Sequence, residues 1–362
     1  MTHCPITRGV DTLCYYHPLT SDQKDAMVKK LKSSKGFYKD KSDYFSETKQ
    51  YHSDAYIEWG VKIFIRKCSN VPWHLQLIVH PEMVLGDADR AELWMPSKSD
   101  YKEISSRITK ILHEAGLKLD ADQLSLTRVD LTANLQFPEQ SMVDEYLRIL
   151  KKGILLPHYR PEKFHEKEHK AKNCKLANTH SYKQSCKSSA FFAYDKVSQL
   201  EMIDCISTGV ADQHILRLEI QLSSKGMTKW LKKDDKRSAW KTIHTLSAQH
   251  YNILTWYLSR ILPSADEHVQ YSKAEALLEK LRKSKTKEHL QYFLRKQSDC
   301  KDLQTALEKT AEKFNLNKSK TRKLLEKCRK IEFNPITLTN GGEYERLPSL
   351  LFILKRNAHW FS

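Results

Sequence analysis

The chain has 362 residues, with 61 Lys and Arg against 44 Asp and Glu, a formal charge of +17. With 40% apolar residues it can bury a sizeable core, which excludes a disordered chain or a fibre, and the length suits two or three domains. No apolar run reaches the roughly 18 residues of a spanning helix, the start MTHCPITRGV lacks a signal-peptide core, and the eight cysteines contain no C-x-x-C pair. The expectation is a cytoplasmic protein with free thiols and no zinc ribbon.

The excess charge is concentrated. Residues 151–200 carry 11 basic against 4 acidic side chains and residues 271–330 carry 18 against 8, so these two segments hold the whole +17. Two basic segments on an otherwise neutral chain point to a polyanion, and nucleic acid comes first because phosphate neutralisation gives sequence-independent affinity.

In chain order, strands are expected at 9–19, 58–68 and 72–86 from β-branched, aromatic and alternating residues. Ile104, Ile108, Ile111 and Leu112 give one face of a helix over 101–115, with Gly116 as its stop. A strand over 124–137 alternates Leu124, Leu126, Val129 and Leu131 up to Pro138, and a helix follows at about 140–152. Strands over 188–196 and 214–224 repeat the order in outline. The fold class is therefore α+β, an antiparallel sheet in two similar β/α halves, followed by a helical C-terminal region. The sequence reads as helical from about 235 to 331, broken at Pro263, and the boundary between residues 1–264 and 265–362 falls near PSADEH.

Three patterns carry chemistry. Residues 303–331 resemble a helix-turn-helix: Ala311 at a close helix crossing, Asn315 suited to a left-handed turn, Leu316 plugging it, Leu324, Leu325 and Cys328 inward, and Lys318, Lys320, Arg322, Lys323 and Lys327 outward as DNA contacts. ITLTNGGEYERL (336–347) reads as a hairpin around Asn340-Gly341, a wing for that motif. Second, Asp130 in TRVDL and Glu219 in LRLEI are acids inside apolar strands, each two residues after an arginine on the same face, Arg128 and Arg217. Oxygen ligands from adjacent strands suit Mg²⁺ or Mn²⁺. Third, Tyr182 lies in a polar stretch between His180 and Lys187 and reads as exposed, with Lys183 and Lys187 to help ionise a phenol and hold phosphate oxygens, whereas Tyr194 ends an apolar strand beside Asp195 and Lys196. His165, His169, Cys174, His180 and Cys186 are spaced 4, 5, 6 and 6 apart, which matches no common zinc site.

Taken in order, TRVDLTANL, the Tyr182–Ser185–Lys187 stretch, FFAYDK and LRLEIQL resemble the rolling-circle replication initiators of small plasmids (the trans-acting Rep type) and the related filamentous-phage initiation endonucleases, over roughly 120–232. The resemblance implies a metal-dependent DNA nickase and strand-joining enzyme. Tyr182 would be the nucleophile that forms a 5′-phosphotyrosine and frees a 3′-hydroxyl primer, with Tyr194 the alternative. Asp130 and Glu219 would hold Mg²⁺ or Mn²⁺. Lys196 and Arg217 would contact phosphate or the ligands, and Arg128 would lie along the DNA. It further implies origin duplex and single strand as substrates, a host helicase and polymerase as partners, and a homodimer. The alternative on the residues alone is a non-enzymatic sequence-specific DNA-binding protein. An RNA-modifying enzyme is less favoured, since no aromatic stacking strand stands out.

Overall fold

Two thirteen-residue strands form the middle of the protein because their alternating apolar residues can be buried from one side. The computed structural model describes residues 4–34, 36–39, 49–68, 71–86, 91–161, 180–202, 211–263, 265–331 and 333–357. The first part runs β1 (Ile6–Pro18), α1 (Ser21–Leu31), β2 (Phe37–Lys39), β3 (Lys49–Ser53), β4 (Val61–Cys68), β5 (Val71–Val79), α2 (Pro81–Leu85) and α3 (Lys98–Glu114). It continues through β6 (Ser125–Phe137), α4 (Gln140–Lys151), β7 (Arg160–Pro161), β8 (Ser181–Ser185), β9 (Ser189–Asp195), α5 (Lys196–Met202), β10 (His214–Ser223) and α6 (Ser224–Met227). After these come α7 (Ala239–Ala248), α8 (His250–Ile261), β11 (Glu267–Val269), α9 (Tyr271–Glu279), α10 (Lys285–Asp299), α11 (Leu303–Lys313), α12 (Lys318–Lys330), β12 (Arg346–Pro348) and α13 (Leu350–Arg356).

The fold is α+β, with a large antiparallel sheet and thirteen helices among the described residues. Ten strands lie in the order β2-β3-β4-β5-β1-β6-β10-β9-β8-β7. The long strands β1 and β6 pair with each other at the centre, and β5 and β10 flank them. Alternation sorts the two faces: Val10, Leu13, Val129, Leu131, Leu216 and Leu218 are buried in one core with helix residues such as Ile108, Leu147 and Leu254. No described helix is long and apolar enough to cross a membrane.

Several sequence expectations are met to within a few residues, among them α3, which is followed by the expected stop Gly116 in the left-handed region (φ 89°). Others are corrected. The apolar run 72–86 is not one strand, since Pro81 begins the short helix α2 after β5 ends. The helical stretch 235–331 is interrupted by β11, which pairs with β12. Helix α1 escaped notice because its apolar face is short, yet Thr20 and Gln23 close a capping box at its start.

The C-terminal region rests on α4. Leu303 donates its N–H to the Lys152 carbonyl (2.9 Å), the Tyr146 hydroxyl donates to the Pro348 carbonyl (2.7 Å), and Arg148 Nη2 donates to the Thr337 carbonyl (2.7 Å). The apolar core continues across the 264/265 boundary, from the sheet through Leu258 and Ile261 to Phe293, Leu303 and Leu350.

Two histidines in this core set an acid limit on stability. Burial, reinforced by Arg8, pushes His250 down to about 3, and burial pushes His268 down to about 4. Both are neutral in the fold but ionise near 6.5 when unfolded, so their contribution is complete above pH 6.5 and is lost as pH falls toward the folded values. Urea unfolding is expected to show a loss of about 2 kcal/mol per histidine between pH 6.5 and 5, and His268→Gln is expected to remove about half of that slope.

Candidate functional site

Strand register, more than proximity in sequence, assembles the site. Across β6 and β10, Asp130 faces Gln221, Thr132 faces Glu219 and Asn134 faces Arg217. Across β10 and β9, Arg217 faces Tyr194. Opposed residues share a face, so Arg128, Asp130, Glu219, Arg217 and Tyr194 all project on the side away from the main core. Asp11 joins them because the β1–β6 register slips between Val10 and Thr12, and the extra residue of this bulge turns its carboxylate toward Arg217. Gly9, next to the bulge, has no room for a side chain: a Cβ would stand 2.6 Å from the Trp94 carbonyl oxygen. That close approach lets the 91–94 segment cross β1 and bring the Ala91 carbonyl to Arg217 and Asn134.

The result is a cleft of about 320 Å³ lined by Asp11, His80, Arg128, Asp130, Tyr194, Lys196 and Glu219. Arg128 clamps Asp130 through Nε and Nη2 (2.8 and 2.6 Å). The Tyr194 hydroxyl donates to Glu219 Oε2 (3.0 Å), and Gln221 Nε2 donates to Glu219 Oε1 (2.8 Å). Arg217, 0% exposed, donates to Asn134 Oδ1 (2.8 Å), Asp11 Oδ1 (2.7 Å) and the Ala91 carbonyl (2.7 Å). Lys196 is buried at the first turn of α5 with its ammonium 3.0 Å from Gln199 Oε1.

Burial raises the Asp130 carboxyl well above the usual carboxylate range, and Glu219 and Asp11 add to this although Arg128 opposes it. Glu219 is raised by burial and by Asp11. For Asp11 burial is outweighed by Arg217, His80 and Lys196, which hold its carboxyl low. Burial and Glu219 push the Tyr194 phenol well up. Both carboxyl groups are already engaged, Asp130 by the Arg128 guanidinium and Glu219 by Tyr194 and Gln221.

The residues expected from sequence divide between two faces. Asp130, Glu219, Arg128 and Lys196 share the cleft, Arg217 is buried behind it against Asp11 and Asn134, and Lys183 projects on the cleft side, its ammonium 4.5 Å over the Phe192 ring. Tyr182 does not share it. It faces Ala193, then Leu218, then Ala133, which places it on the core side of the sheet. The exposed Tyr182 expected from its polar neighbours is half-buried instead, its ring against Phe191 and its hydroxyl accepting from Gln184 Nε2 (2.9 Å). The surrounding polar residues misled because Gln184 is itself buried, held by the Leu156 N–H. Lys187 is exposed in the β8–β9 turn. Asp11 escaped the sequence reading, although TRGVDT (7–12) has nearly the composition of TRVDLT (127–132); Gly9, next to the bulge, hides the correspondence.

A second group lies on the core side. Asp144 of α4, His180 before β8 and Asp195 at the end of β9 bring ligand atoms within 4.8 Å of one another, and this group could hold a metal ion. His180 Nδ1 is 3.5 Å from Asp144 Oδ1 and 3.8 Å from Asp195 Oδ2. Asp195 also accepts from the Val197 and Ser198 N–H groups at the start of α5. Of the spaced His and Cys residues, His165, His169 and Cys174 lie outside the described residues; His180 finds its acidic neighbours far away in sequence, which local spacing cannot show. Cys4, Cys14, Cys186, Cys300 and Cys328 are free.

In the C-terminal region α11 and α12 are joined by a turn in which Asn315 takes the left-handed conformation (φ 49°), and Asn317 caps α12 by accepting the Lys320 N–H (2.9 Å). Leu324 and Cys328 are buried and Leu325 is half-buried; Lys318, Lys320, Arg322 and Lys323 are exposed. Lys327 turns inward to Thr286 (2.8 Å), and the buried small residues are Ala306 and Thr310, with Ala311 half-buried. The 336–347 segment turns at Gly341, but its arms do not form the expected hairpin with each other: Leu338 bridges Gln270, and β12 pairs with β11, so residues 267–270 lie between them.

No protein-family model matches this chain, and no curated protein matches it.

Proposed function

We propose that the protein is a metal-dependent DNA nickase and strand-joining enzyme that initiates rolling-circle replication. The observation that carries this reading is the cleft in which a tyrosine hydroxyl, the carboxyl groups of Asp130 and Glu219, and the cations Arg128 and Lys196 converge. A divalent cation, Mg²⁺ or Mn²⁺, held by Asp130 and Glu219 would polarise a phosphoryl oxygen. The rest is work for the chain's own residues. Arg128 and Lys196 neutralise the phosphate, and Arg217 fixes Asp11 and the strand pair beneath. Tyr194 attacks phosphorus and passes its proton to Glu219; the P–O3′ bond breaks, and the departing 3′-oxygen is protonated by Lys196, leaving a 5′-phosphotyrosine. What supports Tyr194 over Tyr182, the nucleophile that the resemblance implies, is its hydrogen bond to Glu219 on the cleft side.

The exposed basic face of α12, with Lys318, Lys320, Arg322 and Lys323, supports duplex recognition by the helix-turn-helix, while the cleft acts on the single strand. The reading keeps a sheet built from two similar β/α halves. The test is cleavage of labelled single-stranded and supercoiled origin DNA with Mn²⁺. An adduct that survives denaturation, persists in Tyr182→Phe and disappears in Tyr194→Phe is expected. The reverse pattern returns the role to Tyr182. Absence of any adduct, with tight salt-dependent duplex binding, leaves the non-enzymatic DNA-binding protein.

A further inference from the structure

We infer that the open face of β2–β5 and β1 is a stacking platform for single-stranded DNA leading into the cleft, an inference that rests on the proposed nicking function for its choice of substrate. Alternation leaves much of this face half-exposed among the described residues. Along β4 and β5, Val61, Ile63, Ile65, Leu75, Leu77 and Val79 are buried in the core, whereas Lys62, Arg66, His74, Gln76 and Ile78 between them are half-exposed and Phe64, on the same face, is buried under Arg66. Register then lines up Tyr38, His52, Phe64, Gln76 and Tyr16 across five strands.

The rings form two groups on either side of Gln76. Tyr38 and His52 are 4.9 Å apart, His52 and Phe64 5.9 Å, and Tyr16 and His74 5.2 Å. Tyr38, at the outer end, is 54% exposed. Cations accompany them: the Arg66 guanidinium lies 4.5 Å over Phe64 and is oriented by Gln76 (2.5 Å), and Lys62 stands 5.6 Å from the same ring while pairing with Asp54 (3.2 Å). The neighbouring row of register runs Lys62, Ile78, Cys14, Arg128. Arg128 is the residue that clamps Asp130, so the platform ends at the cleft.

Flat rings and a guanidinium plane on a sheet, with no helix raised to enter a groove, can stack only on unpaired bases, while Lys62, Arg66 and Arg128 meet the phosphates. Four strand spacings give a path of about 19 Å, enough for roughly four nucleotides, the lower end of known single-strand sites. Paired bases already stacked in a duplex offer no free face to these rings.

The experiment is binding of a labelled twelve-nucleotide oligothymidylate and of a duplex of equal length, in EDTA so that no cleavage occurs, by wild type, Tyr38→Ala, Tyr38→Phe and Arg66→Ala. Tyr38→Ala and Arg66→Ala are expected to weaken oligothymidylate binding by about tenfold, Tyr38→Phe to leave it unchanged because the ring remains, and duplex binding to be the same in all four. Bromodeoxyuridine in the oligonucleotide is expected to cross-link to peptides of β2–β4. The platform is overturned if both alanine variants bind the single strand as wild type does, if single-strand and duplex affinity fall together, or if oligouridylate binds more tightly than oligothymidylate. Its failure is separable from that of the nicking reading. Weakened binding in the variants without a phosphotyrosine adduct in wild type keeps the platform and removes the nickase; an adduct with unaltered binding does the opposite.

Discussion

Arg217→Met is expected to destabilise the protein by about 3–5 kcal/mol, among the largest effects a single substitution can have here. Arg217 is fully buried at the centre of β10 and donates to three acceptors on three different segments: Asp11 on β1, Asn134 on β6 and the Ala91 carbonyl. Methionine fills much of the same volume, so cavity formation is limited. What remains is a half-buried carboxylate on Asp11 deprived of its first counter-charge and an Asn134 Oδ1 without its donor, while the Ala91 carbonyl keeps only the Asn134 amide. Urea unfolding at pH 7 measures the loss. A change below about 1 kcal/mol would mean that Asp11 and Asn134 find other donors and that the arginine is dispensable for the fold. Asp11→Asn in the Arg217→Met background should recover part of the loss, since it removes the stranded charge.

Glu219→Gln is expected to move activity and stability in opposite directions. If Glu219 accepts the phenol proton and helps to hold the cation, adduct formation falls by about three powers of ten, corresponding to about 4 kcal/mol of transition-state stabilisation. The fold should gain. Burial and Asp11 raise the Glu219 carboxyl above its ordinary value, so its contribution to stability is fully present below the unfolded value near 4.5 and is lost as pH rises through the folded value. The uncharged amide escapes that loss. It can still accept from Tyr194, and Gln221 can turn its own amide to face it. A gain of about 1 kcal/mol at pH 7 in EDTA is expected, and none at pH 4, where the wild-type carboxyl is already protonated. Equal stability of both proteins at pH 7 would show that the carboxylate is not held at a cost in the absence of metal. Full adduct formation by the variant would remove Glu219 from the chemistry.

The acids of the site were legible because each interrupts an apolar strand, and alternation already places Arg128 with Asp130 and Arg217 with Glu219. The roles of the two arginines were not. Arg128 reaches its own strand neighbour, as the R-x-D spacing suggests, whereas Arg217 passes Glu219 and reaches β1 and β6. Tyr182 looked exposed because its neighbours are polar, but one of them, Gln184, is buried with it. Strand β8 therefore carries Lys183 to the cleft side and Tyr182 to the core side, a distinction that turns on a single residue of register.

The sequence by itself determined the alternating strands, the amphipathic helices, the two basic segments and the left-handed turn at Asn315, since each depends on periodicity or on the conformational preference of one residue. The tertiary structure alone decided which strands became neighbours, and with that every long-range relation in the site. Pairing β1 with β6 brings Asp11 to Arg217 over 206 positions of chain. Pairing β6 with β10 brings Asp130 beside Glu219, and the order β2-β3-β4-β5-β1 lines up Tyr38 with Tyr16. The physical reason is that period-2 alternation fixes only which face a side chain takes. Strand order and register are set by how the whole set of apolar faces packs into one core, which no local segment encodes.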